Sequence, residues 1–318
     1  MYHFVAHSVL DRWLFRDWEE AAALWVRLAA LPEPRALVLM PDHVHALLRV
    51  PAVGAFLAAL RDYARWRGRH RGVGGEPAWL PVEAPEILTS SKHFLRSVRY
   101  IHLNPCRDGL ASDPLGWPFS THRDAVGLAL PGVVAPERDP AAFHARVSGD
   151  PSVRVEGTAL PFGRAGLRGA SSEQVLAAVS ALTRTPMPAL CRRGPARDLL
   201  VHALHALALL PQAEVARWTE VSRGTVLRTP EVPDAHVRLV ERVLDDPRFA
   251  GLHTAPLERT PAWRAYRDQR VRRGVYELFA RAARQRKARE RAWARFREDL
   301  ARRENVVRAV AGQRERRF

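Results

Sequence analysis

Two histidines stand two residues apart in the run Leu39-Met40-Pro41-Asp42-His43-Val44-His45-Ala46-Leu47-Leu48. Alternate side chains of an extended strand share a face, so His43 and His45 point both imidazoles the same way and make a divalent-metal clamp. A histidine pair alone is a weak signal, because Val-flanked histidines on a half-buried strand often pack and hydrogen-bond without any metal. About 55 residues later comes Val98-Arg99-Tyr100-Ile101-His102-Leu103-Asn104-Pro105, followed by Trp117-Pro118-Phe119-Ser120. Tyr100 and Asn104 are four residues apart, which puts both on one helix face if the helix persists to Pro105.

The elements that must position these residues are legible in the apolar periodicity. His3–Leu10 reads as a strand with His3, Val5 and His7 on one side, and Trp18–Leu31 as an amphipathic helix ended by Pro32. Arg35–Val50 reads as a strand broken at Pro41-Asp42, with Pro41 marking a bulge or an edge. Val53–Arg67 is expected to be a helix and Arg69–Gly75 a Gly/Arg-rich loop. Pro77–Leu88 suits a short strand or a lid. Ser91–Leu103 regains helical spacing, with its end expected at Asn104-Pro105.

Pro and Gly accumulate after Gly127, and a linker is expected over 129–169. Ser171-Ser172-Glu173-Gln174 has the form of a capping box opening a helix to about Leu182. Arg197–Leu210 is expected to be helical. Gln212–Trp218 and Ser222–Arg228, split by Thr219-Glu220-Val221, fit a helix-turn-helix, although helical hairpins are also common in domains that bind nothing. Pro261–Arg317 reads as a long Arg/Ala-rich helical segment.

The 318 residues carry 50 Lys+Arg against 34 Asp+Glu, a formal net charge of +16. Residues 259–318 hold 20 of those bases against 7 acids, a net of +13, which leaves +3 for residues 1–258. Such a block usually meets an anionic partner, nucleic acid above all, with a merely solvated helix face as the alternative, and since Lys92 and Lys287 are the only lysines a bias toward arginine inflates the impression. No apolar stretch approaches the roughly 20 residues of a spanning helix, and the N-terminal residues do not read as a signal peptide, so the expectation is a cytoplasmic protein without a membrane partner. Cys106 and Cys191 are too few and scattered for a disulfide framework or a thiolate zinc site and are expected to be buried. Nothing in the chain has the form of a phosphate-cradling glycine loop or a Ser/His/Asp hydrolase.

The Met-Pro-x-His-hydrophobic-His strand, the Arg-Tyr-Ile-His-x-Asn-Pro helix end and the Trp-Pro-Phe-Ser segment, in that order, resemble the REP-associated tyrosine transposases, single-tyrosine members of the HUH endonuclease and transposase superfamily. The resemblance covers roughly residues 1–128. It implies an α+β fold, a ferredoxin-like antiparallel sheet with flanking helices; beyond it, composition and periodicity predict a mostly α-helical C-terminal region, with a linker over 129–169, a helical domain with a possible helix-turn-helix over 170–258 and an Arg-rich helical tail over 259–318. It also implies Tyr100 as a nucleophile on a DNA phosphate, His43, His45 and Asn104 as ligands of Mg²⁺ or Mn²⁺, and single-stranded or hairpin DNA as the partner. Asp42 stands where the family usually has Asn, and Trp79-Leu80 replaces its customary Trp-Gln pair.

Five tyrosines compete for the nucleophile's role, Tyr2, Tyr63, Tyr100, Tyr266 and Tyr276. Tyr63 is the serious rival, with a packed aromatic as its alternative; Tyr100 alone has an amide one turn away and the family string around it. His102 lies off the Tyr100 face and is expected to be structural, while His3 and His7 either line the site or pack. Arg61, Arg65, Arg67, Arg69 and Arg71 either contact DNA phosphates or remain solvated, and Ser222, Arg223, Thr225 and Arg228 are the candidate DNA contacts of the helix-turn-helix. Two further readings compete with an active enzyme. One is a catalytically silent DNA-binding protein on the same fold. The other is a relaxase of the wider superfamily, which usually carries another motif order or extra nucleophilic tyrosines.

Overall fold

The computed structural model describes residues 1–9, 13–72, 79–149, 169–244, 246–257, 260–272, 290–298 and 301–302. Among them, β1 (Tyr2–His7), α1 (Trp18–Ala29), β2 (Pro34–Leu39), β3 (His43–Leu48), α2 (Val53–Arg71) and β4 (Glu86–Ile87) build an antiparallel sheet of order β2-β3-β1-β4 with two helices on one face. The register pairs Val5 with His45 and His7 with His43, so His3, Val5 and His7 share a face with the two histidines of β3. The intervening residues Tyr2, Phe4 and Ala6 point the other way, and Phe4 meets Phe56 of α2 with ring centroids 5.1 Å apart. The helix α3 (Ser91–Arg107) covers the histidine face.

The single broken strand expected over Arg35–Val50 is a hairpin instead. Pro41 and Asp42 occupy its two central turn positions, Met40 N–H donates to the His43 carbonyl (2.8 Å), and Leu39 faces Val44 across the ladder. A proline with fixed φ and no N–H is suited to start such a turn. The Trp-Pro-Phe-Ser segment then caps the outer edge of β2: Leu39 N–H donates to the Phe119 carbonyl (2.9 Å) and the Trp117 indole to the Leu39 carbonyl (2.8 Å). An exposed row of strand amides is thereby paired.

Two helices outrun their expected ends. The α2 helix continues to Arg71 and stops where Gly72, at φ 66°, takes the left-handed conformation that a Cβ disfavours. Residues 69–71 are therefore helical and not loop. The α3 helix passes through Pro105, because that residue forfeits only its own N–H; Asp108 N–H still reaches the Asn104 carbonyl (3.1 Å) and Leu110 N–H that of Pro105 (2.8 Å). The expected strand His3–Leu10 ends at His7, and Leu10 lies outside the described residues.

The linker expected at 129–169 contains α5 (Pro140–Ser148), whose Phe143 and Val147 join the core of the sheet beside α3 and the short α4 (His122–Ala125). The boundary at 128 consequently falls inside the first core, and 150–168 lies outside the described residues. A second core is all helical: α6 (Ser172–Thr183), opened by the expected Ser171–Gln174 capping box, α7 (Pro195–Leu207), α8 (Gln212–Trp218), α9 (Arg223–Leu227) and an unforeseen α10 (Asp234–Leu244). Arg184 rivets the two cores. Its guanidinium donates to the Pro118 carbonyl (2.7 Å), to the Ser120 carbonyl (3.0 Å) and to the buried Asp124 carboxylate.

The basic C-terminal segment is not a uniformly solvated helix. In α11 (Pro261–Arg272), Trp263 and Tyr266 are buried against Trp13, and in the helical residues 290–298 Phe296 meets Tyr2 edge-on. The remainder of the expected Pro261–Arg317 helix, Phe279 and Tyr276 included, lies outside the described residues. Cys106 and Cys191 are half-buried and not fully enclosed, and burial pushes the Cys106 thiol up to about 12. Among the described residues no helix is long and apolar enough to cross a membrane.

Candidate active site

On the histidine face of the sheet a cleft of about 460 Å³ opens between β1, β3 and α3, lined by His3, His7, His43, His45, Tyr100 and Asn104, with Glu83, Glu86 and Asp108 at its margins. The strand supplies the histidines by its alternation and the helix supplies Tyr100 and Asn104 by their four-residue spacing, held on one face because α3 survives Pro105. The His43 and His45 rings lie 4.9 Å apart at 88°, and the Tyr100 ring stands edge-on to His45 at 5.4 Å. Both imidazoles are buried, whereas Tyr100 is 41% exposed, so the residue is within reach of a substrate larger than the cleft.

Each imidazole is held through Nδ1. His43 Nδ1 donates to the Asp42 carboxylate at 2.7 Å. His45 Nδ1 lies 3.1 Å from His3 Nε2, and His3 Nδ1 is 3.6 Å from the Glu86 carboxylate, whose other oxygen is 3.1 Å from His93 Nε2. With a carboxylate at the end of each relay, the tautomer carrying the proton on Nδ1 is favoured and Nε2 is the atom of each ring for a ligand bond. Burial holds the His3 imidazole below its ordinary range, against the pull of Glu86, and so favours its neutral, proton-relaying form.

The donor set suits a divalent ion. Besides the two anchored imidazoles, the Asn104 carboxamide is buried in the same cleft, where its Oδ1 is a hard oxygen donor of the kind a divalent ion takes, while its Nδ2, which has no hydrogen-bond partner, is left to donate to an acceptor such as a substrate oxygen. Among the described residues no cluster of three or more His, Cys, Asp or Glu has metal-holding geometry. An ion at this cleft would therefore rest on two nitrogens and one amide oxygen and complete its shell with solvent or substrate oxygens.

The remaining candidates divide. Tyr63 is fully buried on the opposite face of the sheet, where its hydroxyl donates to the Leu14 carbonyl and burial raises its pKa far above the ordinary phenol range. Arg67 and Arg71 leave the expected phosphate-contacting set: Arg67 donates to the Trp13 carbonyl (3.0 Å) and Arg71 pairs with buried Glu20 at 2.6 Å. Arg61, Arg65 and Arg69 are exposed, but on the outer side of α2, across the sheet from His43. His102 is buried and bonds Thr121 Oγ1 at 3.1 Å. Ser222 caps α9 by accepting from Thr225 N–H (3.1 Å), leaving Arg223 and Arg228 exposed at either end of that helix.

Sequence reasoning missed Glu86 and Arg107. The alternation of β1 already pointed His3 inward, but its carboxylate partner comes from the two-residue β4. Arg107, with its guanidinium 5.7 Å from the Tyr100 ring centroid, sits seven residues on, two helical turns from the nucleophile candidate.

The site thus joins two imidazoles, a carboxamide and a partly exposed phenol on an antiparallel sheet within a mixed α/β chain. No protein-family model matches this chain. Over 99 residues it is 29% identical to the REP-associated tyrosine transposase of Escherichia coli (strain K12), a stretch that covers 30% of this chain and 57% of that protein. A solved structure of a REP-associated tyrosine transposase bound to a REP hairpin aligns with 43% of this chain and 86% of its own, at 22% identity and a TM-score of 0.32. The matched stretch spans a little over half the length of the curated relative.

Proposed function

We propose that this chain nicks and rejoins single-stranded or hairpin DNA through Tyr100, as a transposase of the single-tyrosine type. The observation that carries the reading is the meeting of Tyr100 with the His43–His45 pair over one cleft. A phosphodiester resists nucleophiles because its oxygens are negative; His43, His45 and Asn104 would hold Mg²⁺ or Mn²⁺, which would supply Lewis-acid polarisation of the scissile phosphate. The Tyr100 oxygen attacks phosphorus and its proton passes to solvent. The bond from phosphorus to the 3′ oxygen breaks, and that oxygen takes a proton from solvent and leaves as a hydroxyl. The resulting 5′-phosphotyrosine conserves the phosphodiester energy, so attack by a second 3′-hydroxyl rejoins a strand without ATP. Arg107 adds positive charge beside the nucleophile.

The β1-α1-β2-β3-α2-β4 order and the sheet order β2-β3-β1-β4 support a ferredoxin-like classification of the first core. Arg61, Arg65 and Arg69 on α2, with Ser222, Arg223, Thr225 and Arg228 on the α8–α9 hairpin, are proposed as DNA contacts outside the chemical centre, and the cytoplasm as the place of action. The test is incubation of the protein with labelled single-stranded hairpins and Mn²⁺, followed by denaturing electrophoresis. A covalent protein–DNA adduct is expected, and its absence across hairpin sequences at saturating Mn²⁺ would overturn the proposal.

A further inference from the structure

The turn that precedes His43 is tied to a residue 224 positions away. Tyr266, buried in α11, donates its hydroxyl hydrogen to Oδ1 of Asp42, and the same oxygen accepts from His43 Nδ1. The turn itself is clamped by backbone bonds: Ser8 N–H donates to the Asp42 carbonyl (2.7 Å) and Leu14 N–H to that of Pro41 (2.7 Å). The helix is clamped as well, since Trp13 packs on both Trp263 and Tyr266, with centroids 5.4 and 5.7 Å apart, and Phe15 meets Trp263 edge-on. Asp42 thus accepts two hydrogen bonds at one oxygen, from two rigidly mounted donors.

We propose that Tyr266 is a positioning residue for His43, acting through Asp42, so that the C-terminal segment sets the geometry of the metal-binding cleft. The inference rests on the reading of His43 as a ligand. A carboxylate that receives a fixed phenol hydrogen loses the freedom to rotate away from the imidazole. The His43 ring is then held with its proton on Nδ1 and Nε2 turned to the cleft. His45 draws its orientation from a separate relay, His3 and Glu86, so the loss of Tyr266 would disturb one ligand and leave the other. A tyrosine that served only to fill space would act through its ring, and phenylalanine would replace it without loss.

The test is Tyr266→Phe in the full chain, which keeps the ring and its packing against Trp13. Two measurements are made: Mn²⁺ affinity by paramagnetic resonance titration, and the ¹⁵N shifts of the His43 ring in metal-free protein, which report its tautomer. Loss of an outer-shell partner typically lowers metal affinity about 10- to 100-fold, and a weakening in that range is expected, with a His43 population shifted toward the Nε2–H form. In an Asp42→Ala background the same substitution should change neither quantity further, because the connection is already cut. Wild-type affinity and wild-type His43 shifts in Tyr266→Phe would overturn the positioning role and leave the site reading intact. A wild-type chain that binds no Mn²⁺ at the cleft would overturn both.

Discussion

The Tyr100 ring stands perpendicular to the His45 imidazole, 83° between planes and 5.4 Å between centroids, while the rival Tyr63 is sealed on the far side of the sheet. The two tyrosines therefore separate cleanly in experiment. Tyr100→Phe should abolish covalent DNA attachment and leave DNA binding nearly intact, because one oxygen is removed and the ring stays. Tyr63→Phe should keep attachment and lower stability by about 1 kcal/mol through the loss of its bond to the Leu14 carbonyl. Adduct assays and thermal melts on both variants check this; attachment abolished in Tyr63→Phe alone would exchange their roles.

The proposed metal dependence has its own signature. His43→Ala and His45→Ala should each reduce adduct formation to background, and so should EDTA on the wild type, with recovery on adding Mn²⁺. Undiminished cleavage in EDTA would remove the ion from the reaction.

In the basic C-terminal segment, the docking seen at Trp263 and a contact of its arginines with DNA can be tested apart. Trp263→Ala leaves every arginine in place but empties a buried site between Trp13 and Phe15, so it should cost about 3–5 kcal/mol and lower Tm with the salt dependence of DNA binding unchanged. Truncation of 259–318 should lower Tm and also flatten that dependence, the log–log slope falling by roughly 0.7 for each single-strand phosphate that no longer has an arginine to neutralise it. A truncated chain that melts lower with an unchanged slope would reduce the segment's arginines to solvated charge.

Stability should fall as the pH drops through the histidine range. His122 and His144 form a buried chain, Nε2 to Nδ1 at 2.9 Å, that ends 3.6 Å from the Asp113 carboxylate, and burial holds both imidazoles below their ordinary value of 6.5. Above pH 6.5 both are neutral whether the chain is folded or not, and they cost nothing. Below it the unfolded chain takes up protons that the folded protein refuses, so each contributes a loss on the order of 1 kcal/mol per pH unit until its folded form titrates. Urea titrations from pH 7.5 to 5 should show this decline, and His122→Asn should flatten it.

Arg184 and Asp124 supply a direct test of how the two cores are joined. Breaking a buried pair leaves one charge uncompensated, so Arg184→Met should destabilise by about 3–5 kcal/mol. Replacing both, Arg184→Met with Asp124→Asn, should recover part of that loss. Denaturant midpoints of the single and double variants decide whether the pair or only the side-chain packing holds the cores together.

Much of the site was determined by local pattern. A two-residue spacing on a strand puts His43 and His45 on one face in any tertiary setting, and a four-residue spacing on a helix does the same for Tyr100 and Asn104, because both follow from backbone periodicity. The capping box at Ser171 and the break at Pro41 were equally local. Tertiary structure alone decided that Pro41 turns the chain back on itself instead of bulging one strand. It also decided that Arg67 and Arg71 spend their charge on Trp13 and Glu20, and that Tyr266 reaches Asp42. Those outcomes depend on which surfaces meet when the strands pair and the helices pack, and that information is distributed over residues far apart in the chain. A buried guanidinium and a solvated one look alike in sequence, because burial belongs to the neighbours that surround a side chain once the core has closed.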